Sequence, residues 1–192
     1  MEFRDVIFTR RSIRKYTEEE VSQDDLQYIL DCGLSAPSGV NFQPWYFVVI
    51  RSKENMNKLL EVMSDSSDKL VDNLTSRFRK NPEVAKASLS FIKMLGGAPV
   101  VILVFRHKTS YTKTDETIVQ SIGAAMENIA LAAVDRGLGT CWMTAPTETS
   151  DDGRLQEMFA PENGRMVAMM TLGHPAQDPP AVKRKEGRYV II

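Results

Sequence analysis

Four cations and a hydroxyl occupy six consecutive positions near the N-terminus, Arg10-Arg11-Ser12-Ile13-Arg14-Lys15. Guanidinium forks make charge-assisted, often bidentate hydrogen bonds, and Ser12 adds a neutral donor; together they are the donor set a phosphate monoester needs. The same run also reads as a solvated basic turn. Contact with nucleic-acid backbone is a weaker reading, because no second basic stripe with interleaved aromatics follows.

A second stretch, Ala36-Pro37-Ser38-Gly39-Val40-Asn41-Phe42-Gln43-Pro44-Trp45, cannot form an ordinary core element. Its prolines fix φ and lack donors, Gly39 permits positive φ, and Ser38, Asn41 and Gln43 offer short polar arms. Such a shaped loop suits a polar, planar ligand; the plainer reading is a turn between a helix and a strand. In a third stretch, Gly137-Leu138-Gly139 stops a helix, and Thr140-Cys141-Trp142-Met143-Thr144 reads as a strand leading to Ala145-Pro146. Trp142 and Met143 read first as core. Cys141 has no histidine nearby in sequence, so a buried thiol is the better reading than a nucleophile.

These stretches need elements to hold them. Phe3, Val6 and Ile7 fall at helical spacing, so residues 2–10 read as a short helix delivering the basic run at its exit. Ser22 can cap a helix over 23–35, with Asp24 and Asp25 in its first turn and Leu26, Ile29, Leu30 and Leu34 as its stripe. Phe47-Val48-Val49-Ile50 reads as a strand. Residues 53–95 form a helical excursion with a Ser/Asp-rich break at 64–68 and another at Asn81-Pro82. Val100 to Phe105 is the most continuous apolar strand, hence a central one. Residues 106–114 form a polar loop in which His107 is exposed. Asp115 to Arg136 is a long helix, apolar over much of its circumference, which suggests a dimer interface as well as a core. A short helix around Leu155, Met158 and Phe159 precedes a strand, Met166 to Leu172. The tail ends in Tyr189-Val190-Ile191-Ile192, an apolar strand that needs a sheet edge, its own or a partner's.

The 192 residues fit one domain, 1–192, of class α+β. With 24 basic and 25 acidic residues the net charge is −1, so any anion site is local and no global field draws the chain to nucleic acid or membrane. Two cysteines far apart fit reduced thiols in a cytoplasmic protein better than a disulfide framework. Neither a leader peptide nor 18 uninterrupted apolar residues is present, and no metal cluster is visible.

Four features occur together in order: Arg-Arg-Ser-Ile-Arg, Pro-Ser-Gly-Val-Asn-Phe-Gln-Pro-Trp, Gly-Leu-Gly-Thr-Cys-Trp after a long helix, and Gly-His-Pro followed by Lys-Arg-Lys. In this order they resemble the nitroreductase family of flavin enzymes over nearly the whole chain. The resemblance implies an FMN-binding homodimer with a central, mostly antiparallel β-sheet flanked by helices, a C-terminal strand exchanged with the partner subunit, and active sites at the interface.

By that resemblance Arg10, Arg11, Ser12 and Arg14 form the first flavin-binding motif, with Arg10 and Ser12 near the phosphate and the pyrimidine edge of the ring as the alternative place for Arg14. Pro37, Ser38, Gly39, Asn41 and Gln43 match the loop laid on the flavin by the partner. Trp142, Met143, Thr144 and Ala145 match the segment passing N5, and Arg184, with Lys183 or Lys185, matches the late basic residue at the phosphate. His174 stands where the family usually has tyrosine and is assigned no catalytic role. Chemistry is then carried by FMN with no dedicated acid or base: NADH or NADPH donates, and a nitroaromatic, quinone or similar small molecule accepts, by a ping-pong mechanism. A flavin reductase, a dehalogenase-like reductase, an oxidase, or a flavin store without turnover are the alternatives. Since the sequence carries no G-x-G-x-x-G after a strand, no dedicated nicotinamide fingerprint is present.

Overall fold

A computed structural model describes residues 1–108 and 114–192; the polar loop expected over 106–114 lies mostly outside the described residues. The chain order is α1 (Phe3–Thr9), α2 (Gln23–Leu34), a 3-10 turn (Gly39–Asn41), β1 (Trp45–Ile50), α3 (Lys53–Lys69), α4 (Val71–Arg77) and α5 (Pro82–Met94). It continues through β2 (Val100–Arg106), α6 (Asp115–Asp135), β3 (Gly139–Met143), α7 (Ala145–Glu148), α8 (Asp152–Phe159) and β4 (Met166–Gly173). The four strands form one sheet in the order β1-β2-β4-β3, and every neighbouring pair is antiparallel. The fold is therefore α+β.

Helices cover both faces of this sheet, because side chains alternate along each strand. Ile102, Val104, Ala168 and Met170 point into a core shared with α2 and α6. Val101, Leu103, Phe105 and Met169 point into a second core shared with α3, α5 and α8. Strand β2 is buried at every position except Arg106, as its unbroken apolar run demands. By length and composition α6 could cross a membrane. Ile122, Ala125, Met126, Ile129 and Ala133 instead bury it against the sheet and α2.

Local signals explain most boundaries. The Ser22 side chain accepts the Asp25 N–H at 3.0 Å, capping α2, and Asp24 and Asp25 sit where the helix dipole favours them. Pro82 opens α5 at the helical position that tolerates a missing N–H. One expectation fails. The Ser/Asp-rich run at 64–68 does not break the helix, since Ser66 and Ser67 face inward: Ser66 Oγ donates to Asp151 Oδ2 at 2.8 Å and Ser67 Oγ to the Leu89 carbonyl at 3.0 Å. Helix α3 runs on to Lys69. Residues 189–192 form no strand within the chain, and Ile191 is 88% exposed.

Candidate functional site

The basic run lies along the sheet's β3 edge. Ser12 forms a parallel bridge with Thr140, and the Ile13 N–H donates to the Thr140 carbonyl at 2.8 Å. So close an approach requires Gly139, where a Cβ would lie 2.5 Å from Ile13 Cγ1. Buried Tyr16 anchors the far end: its hydroxyl donates to the Ile13 carbonyl and shares a hydrogen bond with Thr171 Oγ1, each 2.7 Å. Burial pushes the Tyr16 phenol upward, and the Thr171 bond offsets only part of that rise.

Arg14 leaves this anchored segment to line a cavity of about 200 Å³ at the exit of β3. Trp142, Met143, Thr144 and Ala145 form one wall, continued by Glu148. Trp142 is 41% exposed, so it is a wall of the cleft rather than core; only Met143 of that pair is buried. Ala145 is the first residue of α7, where an N–H has no intrahelical carbonyl to reach. The Thr147 and Glu148 N–H groups both donate to the Thr144 carbonyl, and the Thr144 hydroxyl donates to Glu148 Oε1 at 2.6 Å. Cys141 also borders this cavity but is buried, and desolvation pushes its thiol upward against the pull of Arg14 and Ser12. A neutral, buried thiol is a poor nucleophile.

The opposite wall comes from the helical excursion, which matched no motif in the sequence. Leu74, Arg77, Ser88, Phe91 and Ile92 all line the cavity, from α4 and α5. The Arg14 guanidinium carbon stands 5.9 Å from the Phe91 ring centroid. On α5 the spacing of Ser88, Phe91 and Ile92 is the i, i+3, i+4 of one helical face, the signal that could have singled them out.

Other expected residues lie elsewhere. Arg10 Nε is 3.7 Å from Glu127 Oε1 on α6. The Arg11 guanidinium donates to the Phe8 and Arg10 carbonyls, each at 2.8 Å, closing the end of α1. Ser38, Gly39, Asn41 and Gln43 precede β1, at the opposite edge of the sheet from β3. That loop is shaped by its own bonds: the Gln43 N–H donates to Ser38 Oγ at 2.9 Å and Gln43 Nε2 to Asn41 Oδ1 at 3.0 Å. Val40, Asn41 and Gln43 hold φ of 51°, 55° and 47°, a strained run for residues with side chains. Pro37 introduces this loop. Arg184 and Lys185 lie on the exposed tail and do not line the cavity. His174 pairs with Glu19 at 3.6 Å on the surface.

Known proteins carry the same architecture. A curated relative from Methanothermobacter thermautotrophicus, named "Putative NADH dehydrogenase/NAD(P)H nitroreductase", is 33% identical over 93% of this chain and 80% of its own. The iodotyrosine deiodinase of Thermotoga neapolitana is 25% identical over 95% of this chain and 93% of its own. A crystal structure of a "putative nitroreductase in complex with FMN" from Desulfovibrio desulfuricans superposes with a TM-score of 0.76 at 26% identity, over 100% of this chain and 96% of that one. With the sequence model of the nitroreductase family matching residues 7–174, the chain belongs to the nitroreductase family.

Proposed function

We propose that this chain is an FMN-dependent NAD(P)H oxidoreductase that reduces a nitroaromatic, quinone or similar electron-poor small molecule in the cytoplasm. The observation that carries the reading is the convergence of Arg14 with Trp142, Met143, Thr144 and Ala145 on one cavity. The donor chemistry there fits a flavin: a guanidinium for the electron-rich pyrimidine edge, an unbonded helix-first N–H for a ring nitrogen, and an indole face. FMN supplies the hydride-transfer chemistry when bound, and the protein binds, orients and polarises it.

Each residue then has a task. Arg14 stabilises the negative charge that accumulates at the ring edge on reduction, and its place over Phe91 keeps it there. The Ala145 N–H orients the ring without a titrating group. Ser12 and Arg10, with Arg184 and Lys185 from the tail, neutralise the phosphate; Arg10 exchanges its long contact with Glu127 for that stronger one. Ser38, Gly39, Asn41 and Gln43 do not line the cavity of Arg14, and in this reading they serve a second copy's. The reading makes the protein a homodimer with two sites. Donor and acceptor occupy the cleft in turn, with no dedicated acid or base.

The test is a visible absorption spectrum of the purified protein followed by NADH and NADPH oxidation with a nitroaromatic acceptor. Flavin bands, release of an FMN-sized cofactor and parallel-line kinetics are expected; a protein that stays colourless with added FMN overturns the reading.

A second reading rests on the likeness to the iodotyrosine deiodinase of Thermotoga neapolitana along nearly the full length of both chains. Reductive dehalogenation would use the same cleft, and halide release from an iodinated phenol by the dithionite-reduced protein distinguishes it.

A further inference from the structure

Beside the cavity at Arg14 lies a second and larger one, about 940 Å³, along α5. Arg14, Ser88 and Phe91 line both, so the two adjoin. The small end has room for a reacting ring. The large end reaches the upper size range of ligand sites, far more than a second small ring needs.

Its lining brings cations together with two aromatic rings, Phe78 and Phe91. Glu83, Lys86, Ala87, Ser90, Phe91 and Met94 repeat at the spacing of one face of α5. Lys15, from the anchored basic run, and Phe78, whose ring has the Arg77 guanidinium carbon 5.7 Å from its centroid, join the lining. Along the whole cleft four cations, Arg14, Lys15, Arg77 and Lys86, stand against two carboxylates, Glu83 and Glu148, an excess of two positive charges in a chain of net charge −1. Among the described residues neither Lys15 nor Lys86 enters an ion pair.

We infer that this α5 cleft is the subsite for the adenosine diphosphate half of the dinucleotide donor, with Lys15 and Lys86 on the pyrophosphate and Phe78 beneath the adenine. The inference rests on the proposed flavin reading of the adjoining cavity. A donor that delivers hydride at one end carries a large anionic remainder, and that remainder must lie next to the reacting cavity. With no G-x-G-x-x-G turn in the sequence, it needs cations instead of a glycine-rich helix start. Binding the remote half also helps the chemical step, since remote binding energy positions the reacting end.

The experiment compares NADH with reduced nicotinamide mononucleotide, which lacks the adenosine half, as anaerobic reductants of the FMN-loaded protein followed by loss of the visible flavin band. ADP binding is measured alongside by calorimetry. NADH is expected to saturate at a concentration at least about tenfold lower than the mononucleotide. The double variant Lys15→Ala, Lys86→Ala raises the NADH value about tenfold, leaves the mononucleotide within about twofold, and loses ADP binding. Equal saturation by both donors in the parent protein overturns the inference. So does a double variant that shifts the acceptor's KM and not the donor's, which assigns the cleft to the acceptor. If neither reductant bleaches the flavin, the oxidoreductase reading fails instead, and ADP binding with its loss in the variant still decides this subsite.

Discussion

A Cβ built on Gly96 would lie 2.3 Å from the carbonyl oxygen of Arg14. Gly96 holds φ +64°, and its own carbonyl accepts the Tyr16 N–H at 3.1 Å, so this glycine fixes the backbone on which the Arg14 side chain is aimed. Gly96→Ala therefore pushes the basic run off the sheet edge. The left-handed backbone alone costs roughly 1–2 kcal/mol, which lowers Tm by about 2–8 °C in a chain of this size, before the clash is counted. FMN affinity falls in step because Arg14 moves. A thermal melt and a flavin titration of the variant check both; unchanged FMN affinity would separate Gly96 from the site.

Asp151 is the buried carboxylate that ties the cleft wall to the excursion. Lys69 Nζ donates to it at 2.7 Å, and Ser66 and Thr149 hydroxyls at 2.8 Å, while its own backbone N–H donates to the Pro146 carbonyl of α7 at 2.8 Å. Burial pushes its carboxyl up, but bonds from Lys69, Ser66 and Thr149 outweigh burial and hold it below the usual carboxylate range. A lowered carboxyl stabilises the fold above about pH 4 and loses that contribution as pH falls through the lower folded value. Asp151→Ala is expected to cost about 2 kcal/mol at pH 7, and the Tm gap between parent and variant should narrow only below about pH 4. Melts from pH 7 to 3 read this directly.

Tyr16 gives the opposite sign at the alkaline end. Its raised phenol favours the neutral form in the folded protein, so its contribution is complete below about pH 10 and declines as pH rises above that toward the folded value. Tyr16→Phe removes the bonds to Ile13 and Thr171 and costs on the order of 1 kcal/mol at neutral pH. The variant's stability curve should lack the parent's loss above about pH 10, as monitored by circular dichroism.

The elements were legible where local chemistry decides them. Ser22 capping α2 and the apolar run of β2 are visible in the sequence because each depends on neighbours a few residues away. Ser66 and Ser67 were misleading: two polar residues read as a break, and only their partners Asp151 and Leu89, far along the chain, keep them inside a helix. The site divides the same way. Arg14 and the 142–145 wall belong to recognisable runs, whereas Arg77, Ser88 and Phe91 reach the cavity through packing of α4 and α5 across it. Arg11 looks identical to its neighbours in sequence, and its bonds to the Phe8 and Arg10 carbonyls become visible only in the fold.

Cys141 should be chemically silent. Its thiol is buried and pushed upward by desolvation, so iodoacetamide at pH 7 should label Cys32, which is partly exposed, well before Cys141 in the folded protein. Cys141→Ala is expected to keep turnover within about twofold, with a stability loss of about 1 kcal/mol from the lost volume. Peptide mapping after timed alkylation, and turnover of the variant, test the two halves of this expectation. Loss of turnover beyond about a hundredfold in a folded Cys141→Ala protein would bring back the nucleophile reading.

The tail carries the last prediction. Tyr189, Val190, Ile191 and Ile192 are 86%, 78%, 88% and 112% exposed, and Phe3 and Phe8 on α1 add further apolar surface at 71% and 69%. Single exposed apolar residues are ordinary, but four in succession at the end of a strand-like run ask for a partner. In the proposed homodimer that partner is the second copy, and the tail also brings Arg184 and Lys185 to the phosphate. Removing residues 178–192 should therefore do two things at once: shift the protein toward monomer in sedimentation velocity and weaken FMN retention. The point variant Arg184→Ala separates them, because it leaves the apolar run intact. It should lower FMN affinity by about tenfold while the dimer persists. A truncated protein that remains a dimer with full FMN affinity would remove the tail from both roles, and the phosphate would then rest on Arg10 and Ser12 alone.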